Sequence, residues 1–388
     1  MKRLIISLVL IFGFASAVSA QIGKTVTVPA GSDEDKALAP ALAAPDGPDK
    51  IALLDKFMAD YGKGDFELLG DTLYVQTYLA QKNYAKVYEF GDKALALDPD
   101  NLTTVVNMTR AAEAEGNTEK LFANGEKAAA IIERYKSSPP PEGVTADQWT
   151  STKAQSIADA QSDIGYVQYS MANAAFKATD PAARVKLFER YAAAFPDSPY
   201  SANVREQTAF TYQQLQNTPK MTATAQAILT ADPNNVSMLL LLGDSWSDAG
   251  TQVDKAAAYA QKALDALKDA KKPDNLTDDQ WQAQTALEKG IANSIIGEVD
   301  VNKGKNDPAV AAFKLANPLL KPNNFYYGRN LYRLGFTLAK MRNIPEARQV
   351  LTEAISVDSP YKSKALETVN KIGGPIATTK PAAKKKTS

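Results

Sequence analysis

The chain has 388 residues, with 44 basic and 44 acidic side chains and neither histidine nor cysteine. Balanced charge leaves no electrostatic footprint for a nucleic-acid partner. Without imidazole or thiol there is no Ser-His-Asp triad, no His-liganded zinc, no haem held by His or Cys, no disulfide and no lipid anchor on a cysteine.

In chain order, residues 1–20 read first as an export signal. Lys2 and Arg3 form a basic start, Leu4 to Phe14 an apolar core, and Val18-Ser19-Ala20 a small-residue exit before Gln21. The apolar run is well short of the ~20 residues that cross a bilayer, and no second such run follows. A signal peptide cleaved after Ala20, a periplasmic or secreted product and no membrane span are therefore expected. Residues 21–48, rich in Ala, Pro, Gly and Asp, show no helical period and read as a flexible leader.

From residue 49 to residue 372 the chain repeats itself. Leu68 to Asn101 forms one unit, with Tyr74, Val75 and Tyr78 as a large, small, large set on a first helix, Asn83-Tyr84 at a turn, and Ala94 and Pro99 closing a second helix. Leu102 opens the next unit, carrying Met108, Thr109, Ala112, a Gly116-Asn117 turn and Ala128. Ala202 to Asn235 repeats the spacing with Ala209, Tyr212, Gln216-Asn217 and Asp232-Pro233, and Val236 opens a further unit with Leu242-Gly243, Trp246, Gly250, Ala256, Ala260 and Ala263. Leu334-Gly335, Leu338, Asn343, Glu346-Ala347, Leu351 and Ala354 match again near the end.

A longer repetition lies between these units. Val144-Thr145-Ala146-Asp147-Gln148-Trp149 recurs as Leu276-Thr277-Asp278-Asp279-Gln280-Trp281, and Ile164-Gly165 and Ile296-Gly297 follow at the same distance. Thr145 with Gln148, and Thr277 with Gln280, predict capping boxes, with Val144 on Trp149 and Leu276 on Trp281 as hydrophobic staples. A block around 144–170 is thus duplicated around 276–302. Asp197-Ser198-Pro199-Tyr200 and Asp358-Ser359-Pro360-Tyr361 read as joints between helices. Ser359-Pro360-Tyr361-Lys362 matches S-x-x-K formally, but K-T-G is absent, and Gly23-Lys24-Thr25 lacks the upstream glycine of a phosphate loop. Gly373-Gly374-Pro375 stops the last helix, and residues 373–388, ending Lys384-Lys385-Lys386-Thr387-Ser388, read as a disordered Lys-rich tail.

The registered large and small residues resemble the tetratricopeptide-repeat family from about Ile51 to Ile372, at its roughly 34-residue spacing. The resemblance implies an all-α fold, a right-handed superhelical solenoid of antiparallel helix pairs. About seven pairs are expected, two of them degenerate, behind a half-pair from Lys50 to Tyr61. Departures are Arg184 at a second-helix alanine position, Gly91 and Gly125 in place of an aromatic, and the lengthened turn Thr251-Gln252-Val253.

In this family the first helix of each pair lines a concave groove. The resemblance assigns to that face Gln76, Arg110, Asn173, Phe210, Gln213, Asp244, Asp248, Glu298, Tyr332 and Phe336. Asp244 and Asp248, four apart and beside Trp246, share one helical face and read as an acidic clamp for a basic group, or more plainly as a solvated face. The expected function is a non-catalytic scaffold of the cell envelope that holds a protein or peptide segment, with no cofactor, metal or catalytic residue. The alternative is a polysaccharide- or solute-associated protein whose aromatics Tyr166, Tyr169, Phe210 and Tyr332 stack on sugars, so a glycan partner stays open. Mass spectrometry of the exported protein should find Gln21, or pyroglutamate derived from it, at the amino terminus; an intact Met1 on a cytosolic protein would overturn the export reading.

Overall fold

The computed structural model describes residues 22–376; the expected signal peptide and all but the first residues of the Lys-rich tail lie outside them. Among the described residues there are eighteen α-helices and no strand. They divide into two compact units after Thr211. The first holds α1 (Asp33–Ala43), α2 (Pro48–Tyr61), α3 (Asp65–Ala80), α4 (Tyr84–Leu97), α5 (Leu102–Ala114), α6 (Thr118–Ser137), α7 (Ala146–Asp159), α8 (Gln161–Lys177), α9 (Pro181–Ala194) and most of α10 (Ser201–Gln214). The second holds α11 (Thr218–Ala231), α12 (Val236–Asp248), α13 (Val253–Asp269), α14 (Asp278–Asn302), α15 (Asn306–Leu320), α16 (Asn324–Lys340), α17 (Ile344–Ser356) and α18 (Lys362–Lys371). Within each unit neighbouring helices stack as tetratricopeptide-like antiparallel pairs: α3 on α4, α5 on α6 and α8 on α9 in the first, α12 on α13, α14 on α15 and α16 on α17 in the second.

Asparagine sets the register of these pairs. Asn83, Asn117 and Asn217 cap the second helices α4, α6 and α11, each side chain accepting from a backbone N–H three residues on. Asn101, Asn235 and Asn323 cap the first helices α5, α12 and α16 in the same way. Ahead of the second helices the chain reverses through one left-handed residue, seen at Lys82, Gly116, Gln216, Gly304 and Arg342.

The leader expected at residues 21–48 is, over its described part, folded. Ser32 caps α1 by accepting from Asp35 N–H, and α1 buries Leu38 and Ala41 against Leu54 and Phe57 of α2, so the anticipated half-pair is a complete one. Pro40 inside α1 removes a backbone donor and hides the helix from a reading of periodicity. Upstream, Ile22 enters the core beside Leu102 and Val105, while Lys24 N–H donates to Asp98 Oδ2 at 2.7 Å and Lys24 Nζ to Asp65 Oδ1 at 2.7 Å. At the other end residues 373–376 fold back on α17: Arg348 Nε donates to Gly374 O at 2.7 Å, and Ile376 N–H to Thr352 Oγ1 at 3.1 Å.

Gly91 and Gly125 lack the family's aromatic because a methionine of the next first helix occupies the space. A β-carbon at Gly91 would come 2.7 Å from the Met108 sulfur, and one at Gly125 would overlap the sulfur of Met171. In the second unit the small residue is on the first helix instead: Gly297 lies under Phe313 and Gly335 under Leu351, each 2.6 Å from where a β-carbon would sit. Arg184, at an alanine position, turns its guanidinium to Ala178 O at 3.2 Å and Thr211 Oγ1 at 3.4 Å.

Both predicted capping boxes form. The helices behind them differ. α14 runs 25 residues unbroken, whereas its counterpart breaks at Ala160 into α7 and α8 and continues about two turns further, to Lys177. Ile164-Gly165 and Ile296-Gly297 are therefore not equivalent: Gly297 is pressed on Phe313, while the space over Gly165 is open. The tryptophans also diverge. Trp149 is buried, packs edge-on against Tyr135 at 5.6 Å and donates from Nε1 to Ser138 O at 3.0 Å. Trp281 is only half-buried. Trp149→Ala should cost on the order of 3 kcal/mol in chemical denaturation, and Trp281→Ala less than about half of that, because the loss follows the contacts removed; equal losses would show that the two copies pack alike.

Candidate functional site

In the first unit α3, α5 and α8 are consecutive neighbours and carry Gln76, Arg110 and Asn173, all half-buried. Arg110 is tied down: Nη1 donates to Asn107 Oδ1 at 3.0 Å, Nη2 to Asp163 Oδ1 at 2.7 Å, and the guanidinium stacks 4.8 Å from the Tyr166 ring. The Tyr166 hydroxyl donates to Glu113, and burial followed by that carboxylate pushes its pKa up to about 12. Asn173 lines a cleft of about 320 Å³ with Glu113, Ser170 and Lys177. Tyr169, 51% exposed, lies 6.2 Å from the Tyr200 ring, and Phe210 on α10 is half-buried.

In the second unit Gln213 is exposed, and the remaining assigned residues fall into two groups. The first is an ion network. Arg329 on α16 grips Asp244 with both terminal nitrogens, at 2.9 and 2.7 Å, and reaches Asp248 Oδ2 at 3.1 Å. Arg333, one turn on, donates to Asp248 and to Ser294 Oγ at 3.2 Å, and its Nε forms an ion pair with Glu298 Oε2 at 3.1 Å. The expected acidic clamp is thus filled by arginines of the chain itself. Face-to-face stacking of α12, α14 and α16 sets Asp-x-x-x-Asp against Arg-x-x-x-Arg, so the carboxylates meet cations before any partner arrives. Burial opposes the charge on Arg329, but Asp244 and then Asp248 more than offset it, and its pKa rises. Burial also raises Glu298, against the pull of Arg333. The Asp244 side chain is 9% exposed and that of Asp248 46%, so screening weakens the second more. Arg329 and Arg333 were not among the expected site residues, although their complementary four-residue spacing to Asp244 and Asp248 is written in the sequence.

The second group is aromatic. Tyr332 lies 6.1 Å from Phe336 and 6.0 Å from Tyr361, and Phe325 lies 5.9 Å from Tyr361 and 5.2 Å from Tyr326. Arg329 supports this row from below, 5.4 and 5.2 Å from the Phe325 and Tyr326 rings. Among the described residues no helix is long and apolar enough to cross a membrane.

Fold and first-helix faces together define a tetratricopeptide-like helical repeat protein. No protein-family profile matches the chain, and no characterised protein matches it in sequence. Solved structures to which it is similar include a chain of the APC/C hetero-tetramer Cut9-Hcn1, at 14% identity over 88% of this chain and 64% of that one, with a TM-score of 0.41. This chain therefore spans less than two thirds of that neighbour's length. The P58(IPK) TPR domain is 15% identical, with 88% of each chain covered and a TM-score of 0.26, and yeast Tom70 is 13% identical, with 84% and 91% covered and a TM-score of 0.25.

Breaking a buried ion pair by removing one partner costs about 3 to 5 kcal/mol, since the other charge is left uncompensated. Asp244→Asn should destabilise by that order in urea unfolding, and the more exposed Asp248→Asn by distinctly less. Combining Asp244→Leu with Arg329→Met should recover most of the loss. A loss below about 1 kcal/mol for Asp244→Asn would mean the network contributes little.

Proposed function

We propose that this protein is a non-catalytic protein-binding scaffold, exported to the periplasm or beyond, whose first-helix faces hold a peptide or protein segment of a partner. The observation that carries the reading is the presence, in each unit taken by itself, of polar and aromatic side chains on first helices of stacked pairs, Asn173 and the exposed Tyr169 in the first, the half-buried Tyr332 and the exposed Phe336 in the second, in a chain without histidine or cysteine. Tyrosine and phenylalanine supply large, stiff contact area at low entropic cost, as recognition surfaces need. The titratable groups on these faces are committed to each other, Arg110 to Asp163 and Arg329 to Asp244, which suits holding rather than acid–base chemistry.

A second reading has its own support in the Tyr169–Tyr200 ring pair, which could stack on a sugar. Affinity capture from an envelope extract separates the two. Recovery of a defined protein, lost on Tyr332→Ala or Tyr169→Ala, is the expected result; recovery of glycan alone would replace the scaffold reading with the second one.

A further inference from the structure

The aromatic row of the second unit is more than a set of packed rings. Tyr326, Phe325, Tyr361, Tyr332 and Phe336 touch in sequence, each centroid 5.2 to 6.1 Å from the next. Two of its members are open to solvent: Phe325 is 44% exposed and Phe336 45%. From Phe325 to Phe336 the helix rises roughly 16 Å, a length that an extended segment covers in about five residues. Exposed apolar surface of this kind, contiguous and bordered by polar groups, marks a contact site.

The border is mainly cationic. On α16, α18 and the joint between α17 and α18 the exposed charged residues are Lys340, Lys362, Lys364 and Lys371 against Asp358 and Glu367. Lys364 Nζ stands 5.5 Å from the Tyr361 ring centre, while Lys371 is paired with Glu367 at 2.7 Å. The nearby carboxylates Asp244, Asp248 and Glu298 are engaged by Arg329 and Arg333. Residues 377–388 carry Lys380, Lys384, Lys385 and Lys386 and no acid, and so lack the charge that a lysine rim attracts.

We infer that the row of Phe325, Tyr361, Tyr332 and Phe336 is the docking surface for an acidic extended segment of a partner protein. Apolar or proline residues of that segment pack on the rings, and its carboxylates pair with Lys340, Lys362 and Lys364. Aromatic rings grip extended, proline-containing chains at little ordering cost, and a lysine rim selects the sign of their charge. The inference rests on the reading of first-helix faces as partner surfaces and adds the chemistry of the partner.

Fluorescence anisotropy on the full mature chain tests it, with a labelled peptide of about ten residues alternating Glu and Pro, its Lys-Pro counterpart, and a polyuronate as competitor. The Glu-Pro peptide should bind at least about tenfold more tightly than the Lys-Pro peptide at low salt, and weaken as salt rises. Phe336→Ala and Lys364→Glu should each weaken it by about tenfold, and because both side chains are exposed, the melting temperature should hold. Equal affinity for the two peptides, indifference to both variants, or displacement by polyuronate at matched charge would overturn the inference. If an envelope protein is captured by the whole chain and Phe336→Ala does not disturb it, the scaffold reading stands and this row is not its surface. If Glu-Pro binding is lost in Phe336→Ala while no protein is captured, the chemistry of the row stands and the broader reading falls.

Discussion

Everything in this chain depends on how closely its helices approach. At several contacts between helices a large side chain is set into the space above a glycine, and the glycine stands on either member of a pair. In the first unit, Met108 and Met171 reach back over Gly91 and Gly125 of the preceding second helix. In the second, Phe313 and Leu351 on second helices cover Gly297 and Gly335 on their first helices. Methionine suits the first arrangement because its unbranched side chain adapts to an irregular gap. A lost methionine there would cost about 2 to 5 kcal/mol, comparable to a large share of a domain's net stability. The positions on the first-helix faces follow from this spacing, since it determines which side chains of successive first helices come within reach of each other.

The ion network of the second unit is the clearest product of that reach. Solenoid energetics are ordinarily a sum over adjacent repeats. Here Arg329 pairs with Asp244, 85 residues earlier and two pairs back in the stack, while Arg333 takes up Glu298 and Ser294 on the helix between. Replacing such a network with well-fitted apolar residues need not cost stability, whereas removing one member does. In the register that α12, α14 and α16 adopt, all five charges are met. The surface lysine pairs along the helices, such as Lys86 with Glu89, are exposed and bear little on this outcome.

The parts of the fold that were legible in the sequence are those decided within a few residues. The turns at Asn83, Asn117 and Asn217, the Thr145 and Thr277 capping boxes, the Gly373-Gly374 stop and the large-small spacing of Tyr74-Val75 or Leu334-Gly335 act locally, and each reappears in the structure. α1 was hidden because Pro40 interrupts the helical signal, yet two inward residues, Leu38 and Ala41, suffice once α2 offers a surface. The duplicated block kept its caps but not its length, so the Ile-Gly pairs matched by letter and not by place. Asp244 and Asp248, read as an acidic clamp or a solvated face, instead meet Arg329 and Arg333. What a carboxylate meets across a stack depends on a partner some eighty residues away, and spacing along one helix carries no record of it. The row that ends at Phe336 was half visible for the same reason: Tyr332 and Phe336 share a helix, while Tyr361 comes from the joint before α18.

A tie that spans two interfaces also has a mechanical meaning. Helical repeat stacks flex by small rotations shared among their interfaces, so that the inner face of an ordinary array breathes like a soft spring. Arg329 and Asp244 hold the combined rotation of the α12–α14 and α14–α16 contacts at one value. In the second unit the spacing between the first helices α12, α14 and α16 is therefore set by the chain's own charges.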